Sequence, residues 1–287
     1  MPVQQTLSLP WTTATPVQKL MRRIRQIARR NSYVQIGPHI MEVPQDMTLA
    51  FFRNGDYYER STSYWIEKLL AGTTQQVFYD IGANYGYYCL KLAPLATHIY
   101  AFEPVSRTHA MLQKNIERNG ITNIIAYQRG VTDRDGTAQI YLHRTRFFPL
   151  VSGSSSLFHS SLSSAGQETI SVVTLDSILQ EQQLLPPAVI KIDIEGGELY
   201  VLRGAREVLN TYHPILVMEF NGLEIFEDVG YARTDLLTFL QDLHYVVYGL
   251  SSNVADFTAY PLNRFAEIQV ENIIALPQEM EHLIKEA

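Results

Sequence analysis

Two stretches of this chain place charged side chains where apolar ones would be expected. The first is Val77-Phe78-Tyr79-Asp80-Ile81, a short apolar run interrupted by one carboxylate, followed by Gly82-Ala83-Asn84-Tyr85-Gly86. The second is Val189-Ile190-Lys191-Ile192-Asp193-Ile194-Glu195-Gly196-Gly197-Glu198. Charge inside a buried strand is costly unless it is paired or used. In an extended chain Lys191, Asp193 and Glu195 fall on one side, because side chains alternate. A Lys191–Asp193 ion pair is the purely structural explanation. Proton transfer is the chemical one. Lys191 acts as a base only when neutral, and a neighbouring carboxylate opposes that. Asp193 is therefore the first candidate to meet an acceptor hydroxyl and Glu195 the second, with Lys191 holding the carboxylate. His159, in a serine-rich stretch, and His213, before Pro214 at the wrong end of its strand, are weaker candidates.

The turn after Asp80 reads G-x-x-x-G, not the G-x-G-x-x-G of a dinucleotide site. A carboxylate there would repel a pyrophosphate and suits a ligand carrying an ammonium and a sulfonium. Glu103 ends the run His98–Phe102, 21 residues after Gly82. At that spacing an acid grips ribose hydroxyls. Asp80, Gly82, Asn84, Gly86 and Glu103 thus describe a nucleoside without phosphates, and S-adenosylmethionine fits. Val131 and its neighbours, after a third strand, are expected to flank the adenine. Asp193, Glu219 and Asn221 end neighbouring strands and resemble the acid-acid-amide set of magnesium-dependent O-methyltransferases. The Glu-x-Asn spacing departs from that pattern, so no metal is assigned.

These residues need a scaffold of alternating strands and helices. The patterning predicts strands over 77–81, 98–102, 124–127, 189–193, 215–220, 245–250 and 271–276, with pairing strands over 137–142 and 170–173. It predicts helices over 63–71, from about 85, and over 106–118, 175–180, 197–209 and 234–243. Ser61-Thr62 and Thr234 are the expected caps. Between His143 and Gln167 regular patterning stops, and a flap over the ligand or a solvated linker is expected.

Six of the 23 lysines and arginines lie in residues 1–41, which hold no acid, so the remainder carries −12 of a net −6. An acidic body argues against nucleic acid as the partner. Residues 17–30 predict a basic helix, packed across the domain or resting on an anionic surface. The single cysteine, Cys89, excludes an intrachain disulfide and reads as a core residue in a cytoplasmic protein. No apolar run is long enough for a membrane span. The expected division is an extension over 1–54 and one α/β domain over 55–287.

The motifs DIGANYGYY, AFEP, KNIERNG, the GSSSL segment, TLDSIL and KIDIEGGELYVLRGA stand in the order and spacing of the FkbM family of S-adenosylmethionine-dependent methyltransferases. The likeness covers about residues 55–277. It implies a Rossmann-like class I methyltransferase fold: an α/β, seven-stranded, mostly parallel sheet with helices on both faces and an antiparallel last strand. It also implies O-methylation of a small-molecule or carbohydrate acceptor. Tyr88-Cys89 stands where the family usually has Tyr-Thr. The competing readings are a nicotinamide-dependent oxidoreductase, opposed by Asp80 and the missing glycine, and a nucleic-acid methyltransferase. The latter is opposed by the acidic body and by the lack of an Asn-Pro-Pro-aromatic tetrapeptide.

Overall fold

The computed structural model describes residues 32–43, 59–143, 155–156, 164–220, 230–253, 255–267 and 269–285. A hairpin of β1 (Ser32–Ile36) and β2 (His39–Val43) precedes helix α1 (Arg60–Ala71). Then β3 (Val77–Ile81), α2 (Tyr87–Leu92), β4 (His98–Phe102), α3 (Ser106–Arg118) and β5 (Ile124–Tyr127) alternate. Short strands follow: β6 (Gly130–Val131), β7 (Gly136–His143), β8 (Ser155–Ser156) and β9 (Ser164–Val173). Alternation resumes with α4 (Leu175–Glu181), β10 (Val189–Ile192), α5 (Glu198–Arg203), α6 (Arg206–Tyr212), β11 (Ile215–Glu219), α7 (Arg233–Asp242) and β12 (Tyr245–Ser251). The described chain closes with β13 (Ala259–Pro261), β14 (Val270–Pro277) and α8 (His282–Lys285).

The main sheet runs β13-β12-β14-β11-β10-β3-β4-β5. Strands β5, β4, β3, β10 and β11 pair in parallel, and β14 pairs antiparallel with β11 and β12. This is the Rossmann-like class I arrangement, with one strand more than expected. The eighth, β13, is three residues long and pairs with Tyr248–Leu250 at the edge. A short edge strand ending in proline offers little to a neighbouring chain. Strand order reverses between β3 and β10, the point where open α/β sheets bind ligands.

Alternation along the strands divides the core into two layers. Phe78, Val189, Ile215 and Val217 pack with Trp65, Ile66, Leu69 and Leu70 of α1, Leu90 and Leu92 of α2, and Leu112 of α3. Tyr79, Ile190, Ile192, Leu216 and Met218 pack with Leu175, Leu202, Leu209, Leu236 and Leu240 on the other side. Each buried leucine contributes about 1.5–3 kcal/mol. By the same alternation Asp80, Lys191 and Glu219 belong to the face that carries α1 and α2. In α2 five of six side chains are buried, so packing holds this helix, which is far too short to be stable alone.

Several boundaries differ from expectation, each for a physical reason. Helix α1 starts at Arg60, with Glu59 before it at φ 50, and Ser61 and Thr62 are buried within it instead of capping it. Helix α2 begins at Tyr87, after Gly86 at φ 91. At the start of α7 the Asp235 carboxylate, not Thr234, accepts from the Ala232 N–H at 2.7 Å. The single helix expected over 197–209 breaks into α5 and α6. A Cβ on Gly204 would lie 2.1 Å from the Thr132 carbonyl oxygen, so the chain is pressed against the segment that follows β6. The new helix start is capped from α4: Asp176 accepts from the N–H groups of Glu207 and Val208 at 3.1 and 2.9 Å. This gives the aspartate of TLDSIL a structural role, while Thr174 caps α4 itself.

Strands β7 and β9 reach into the stretch expected to be irregular, pairing Tyr141 with Gln167 and His143 with Ser164. The flap itself and His159 lie outside the described residues, as do the basic helix of 17–30, the boundary at residue 54, and Asn221. Among the described residues no helix is long and apolar enough to cross a membrane.

Candidate active site

The site is built at the carboxyl ends of the paired strands β3 and β10. Lys191 pairs with Asp80 across the two strands. The ammonium of Lys191 donates to Asp193 Oδ2 at 2.8 Å and lies 4.7 Å from the centre of the Tyr88 ring. Burial alone would push Lys191 down, but the Asp193, Asp80 and Glu59 carboxylates outweigh it and raise its pKa. That environment favours the ammonium over the neutral amine that a base would need.

Burial pushes the Asp193 carboxyl up, yet the Lys191 ammonium, by charge and by hydrogen bond, overcomes this and holds it below the usual carboxylate range. A hydrogen bond from Glu219 adds to that effect. Glu219 is itself pushed well up by burial and by the Asp193 carboxylate. Its Oε2 is buried without a hydrogen-bond partner. Glu195 follows at φ 58, in the turn 194–197, and is half-buried. Glu198, 1% exposed, braces that turn by accepting from the N–H groups of Ile194 and Gly196 at 3.4 and 3.3 Å. Burial, partly offset by those N–H groups, raises Glu198 to about 7.

The other half of the site is the glycine turn. Asp80 is 1% exposed; Cys89 Sγ donates to its Oδ2 at 3.2 Å, and its Oδ1 is buried without a partner. Burial raises the Asp80 pKa, and the Lys191 charge opposes this. Cys89 is fully buried, as its core reading required. A Cβ on Gly82, at φ 85, would lie 1.9 Å from the Asp193 carbonyl oxygen, and one on Gly86 would meet Leu112 at 2.6 Å. The two glycines are thus demanded by protein neighbours, which lock the turn to β10 and to α3.

Asn84, at φ 52, donates its N–H to Glu103 Oε2 at 3.0 Å, and Val105 donates to Oε1 at 2.9 Å. Burial, offset in part by these two N–H groups, raises Glu103 to about 7. Asn84 Oδ1 is a further buried acceptor without a partner. Such orphans cost about 1–3 kcal/mol each and call for an explanation. Acceptors left open at Asp80 and Asn84, with an acid anchored at the end of β4, fit a nucleoside that carries an ammonium group. Val131 is buried on β6 in the apolar cluster that also holds Phe102 and Val173.

Two acids of this region escaped the sequence reading. Glu59 precedes α1 and accepts from the Tyr88 hydroxyl at 2.8 Å. Glu271, on β14, is raised by burial and by the Asp193 carboxylate. Neither sits in a motif; only the fold carries them to the end of β10. His213 instead contacts Glu279 at 3.1 Å, away from these groups. Among the described residues no three His, Cys, Asp or Glu side chains are grouped to hold a metal ion.

Residues 80–247 match the family described as the methyltransferase FkbM domain, more than half of the 287 residues. The chain is 26% identical over 148 residues to hexuronic acid methyltransferase AglP of Haloferax volcanii, covering 52% of this chain and 57% of that protein. It is 29% identical over 146 residues to Methyltransferase 1 of Beauveria bassiana, covering 44% of this chain and 56% of that one. The matched segments thus span little more than half the length of these relatives. The crystal structure of methyltransferase FkbM from Methylobacillus flagellatus KT aligns at a TM-score of 0.45 and 15% identity, over 92% of this chain and 60% of that one. The family match starts at Asp80, crosses the switch point and ends on β12 at Val247, and on that span the chain belongs to the FkbM family of methyltransferases.

Proposed function

We propose that this chain transfers a methyl group from S-adenosylmethionine to a hydroxyl oxygen of a small molecule or sugar. The observation that carries the reading is the glycine turn. It leaves the buried acceptors Asp80 Oδ1 and Asn84 Oδ1 open while fixing Glu103 at the end of β4. Asp80, Gly82, Asn84 and Gly86 line the methionine end, Glu103 receives the ribose hydroxyls, and Val131 with its neighbours flanks the adenine. The donor supplies an electrophilic methyl on a sulfonium that leaves as a neutral sulfide.

The chain's own groups do the positioning, which is the main task in an in-line displacement. Asp193 accepts a hydrogen bond from a hydroxyl of the acceptor and Lys191 keeps that carboxylate in place. Glu195, two residues on, is the second carboxylate within the same turn. The hexuronic acid methyltransferase relative favours a carbohydrate acceptor, and a hexuronic acid glycoside is the class to try first. The reaction itself requires no metal.

Calorimetric titration of the full chain with S-adenosylhomocysteine and, separately, with NADH tests the donor assignment. Binding of the first and none of the second is expected. Binding of NADH alone would overturn the reading in favour of hydride chemistry.

A further inference from the structure

Glu59 is fixed at the site by three elements. Asn272 of β14 donates to Thr62 Oγ1 at 3.0 Å, and Ser63 Oγ lies 3.1 Å from the Tyr87 hydroxyl. These contacts pin the first turn of α1 against β14 and α2. Glu59 itself stands at φ 50, a conformation uncommon for a residue with a side chain and kept only where the surroundings impose it. Its Oε2 accepts from Tyr88 at 2.8 Å. The face of that tyrosine ring carries the Lys191 ammonium, which in turn holds Asp193. One ring therefore separates Glu59 from the Lys191–Asp193 pair. Glu59 is half-buried, and its Oε2 is the atom that Tyr88 engages.

This inference rests on the methyl-transfer reading. We propose that Glu59 is the proton acceptor of the reaction, taking the proton of the reacting hydroxyl on its carboxylate while Asp193 accepts from a neighbouring hydroxyl and so orients the acceptor. The O–H bond breaks and its electron pair stays on oxygen. The oxygen forms the new bond to the methyl carbon, and the carbon–sulfur pair goes to sulfur. The proton ends on Glu59 as a neutral carboxylic acid and passes to water.

The charges that face Glu59 support the division of labour. Burial and the Asp193 carboxylate raise it, Lys191 and the Tyr88 hydrogen bond lower it, Glu271 raises it slightly, and the balance lies at about 7. A base matched to neutral pH is the effective one. Asp193, held low by its ion pair, is the poorer proton acceptor and the better anchor.

The test uses the full chain, S-adenosylmethionine with a labelled methyl group, and p-nitrophenyl β-glucuronide as the acceptor probe. The wild-type kcat/KM should rise with pH through about 7. Glu59→Gln should lose that limb and about 100-fold or more in kcat, with donor affinity unchanged. Asp193→Asn should move the limb to lower pH, because a charge that raises Glu59 is gone; Tyr88→Phe should move it to higher pH. A Glu59→Gln protein that keeps both turnover and limb overturns the proposal, as does loss of the limb in Asp193→Asn alone. If the wild type does not methylate the probe, infrared difference titration decides: a carboxyl titrating near pH 7 that is missing in Glu59→Gln supports the assignment, and its absence overturns it. Failure of methyl transfer as a whole would show separately, as no binding of S-adenosylhomocysteine.

Discussion

Replacing Glu103 by glutamine tests the donor site through two signs at once. The carboxylate accepts two backbone N–H bonds, from Asn84 and Val105, at 3.0 and 2.9 Å. A glutamine has one acceptor oxygen, so its amide nitrogen must face one of those donors. That mismatch costs about 1–3 kcal/mol. Against it stands a gain. The Glu103 pKa is raised from 4.5 to about 7, so the folded chain binds a proton that the unfolded chain has released between those values. Its contribution to stability is present below pH 4.5 and is lost as pH rises through about 7. The size is on the order of 3 kcal/mol at 1.4 kcal/mol per unit. The variant should therefore be less stable than wild type at pH 4.5 and approach it at pH 8.

Donor binding should move the other way. The ribose hydroxyls bond best to the ionised carboxylate, so wild-type affinity for S-adenosylhomocysteine should rise about tenfold for each pH unit below the pKa and level off above it. In Glu103→Gln that dependence should vanish, with affinity at pH 8 lower by about 1.5–3 kcal/mol, the scale of hydrogen bonds to a charged group. Urea unfolding across pH 4.5–8 and calorimetry across pH 5–8 read the two effects. Unchanged affinity and unchanged pH dependence in the variant would refute the ribose assignment.

Two further perturbations follow from the packing. Gly82→Ala must fit a Cβ 1.9 Å from the Asp193 carbonyl oxygen at φ 85, so the turn and β10 have to separate; a urea midpoint equal to wild type would contradict this. Asn115→Ala removes a fully buried amide that accepts from Glu42 N and donates to the carbonyls of Glu42 and Tyr85. About 3 kcal/mol of stability should be lost, together with donor affinity, because the same amide ties the β1–β2 hairpin to the glycine turn; unaltered unfolding would count against it. Exhaustive EDTA treatment should leave methyl transfer intact, and loss restored by magnesium would return Asp193, Glu219 and Asn221 to attention.

The parts of this fold that could be read beforehand are those where local pattern and tertiary demand agree. Strands β3 and β10 are buried on both faces, so their apolar runs stand out, and the lone charges within them mark the site. The position of Glu103 at the end of β4 was legible because βαβ geometry fixes the distance from a glycine turn to the next strand end. Glu59 was not, since a glutamate before a helix looks like any solvated cap; only the docking of α1 against β14 and α2 brings it to Tyr88. The break at Gly204 was hidden because Val201, Ala205, Val208 and Leu209 continue one apolar stripe across it. Its cause is the approach of Thr132, which no helical pattern records. The pattern placed both glycines of the turn beside the ligand but did not show that their missing Cβ atoms make room for Asp193 and Leu112.

The most direct test of the account is the fate of the methyl label. The full chain is incubated with methyl-labelled S-adenosylmethionine and p-nitrophenyl β-glucuronide, and the product is treated with mild alkali. Transfer to a hydroxyl makes an ether that keeps the label, which is the result predicted here. A label released by alkali would identify an ester on the acceptor's carboxylate, a reaction that needs no base at Glu59 and contradicts the hydroxyl reading.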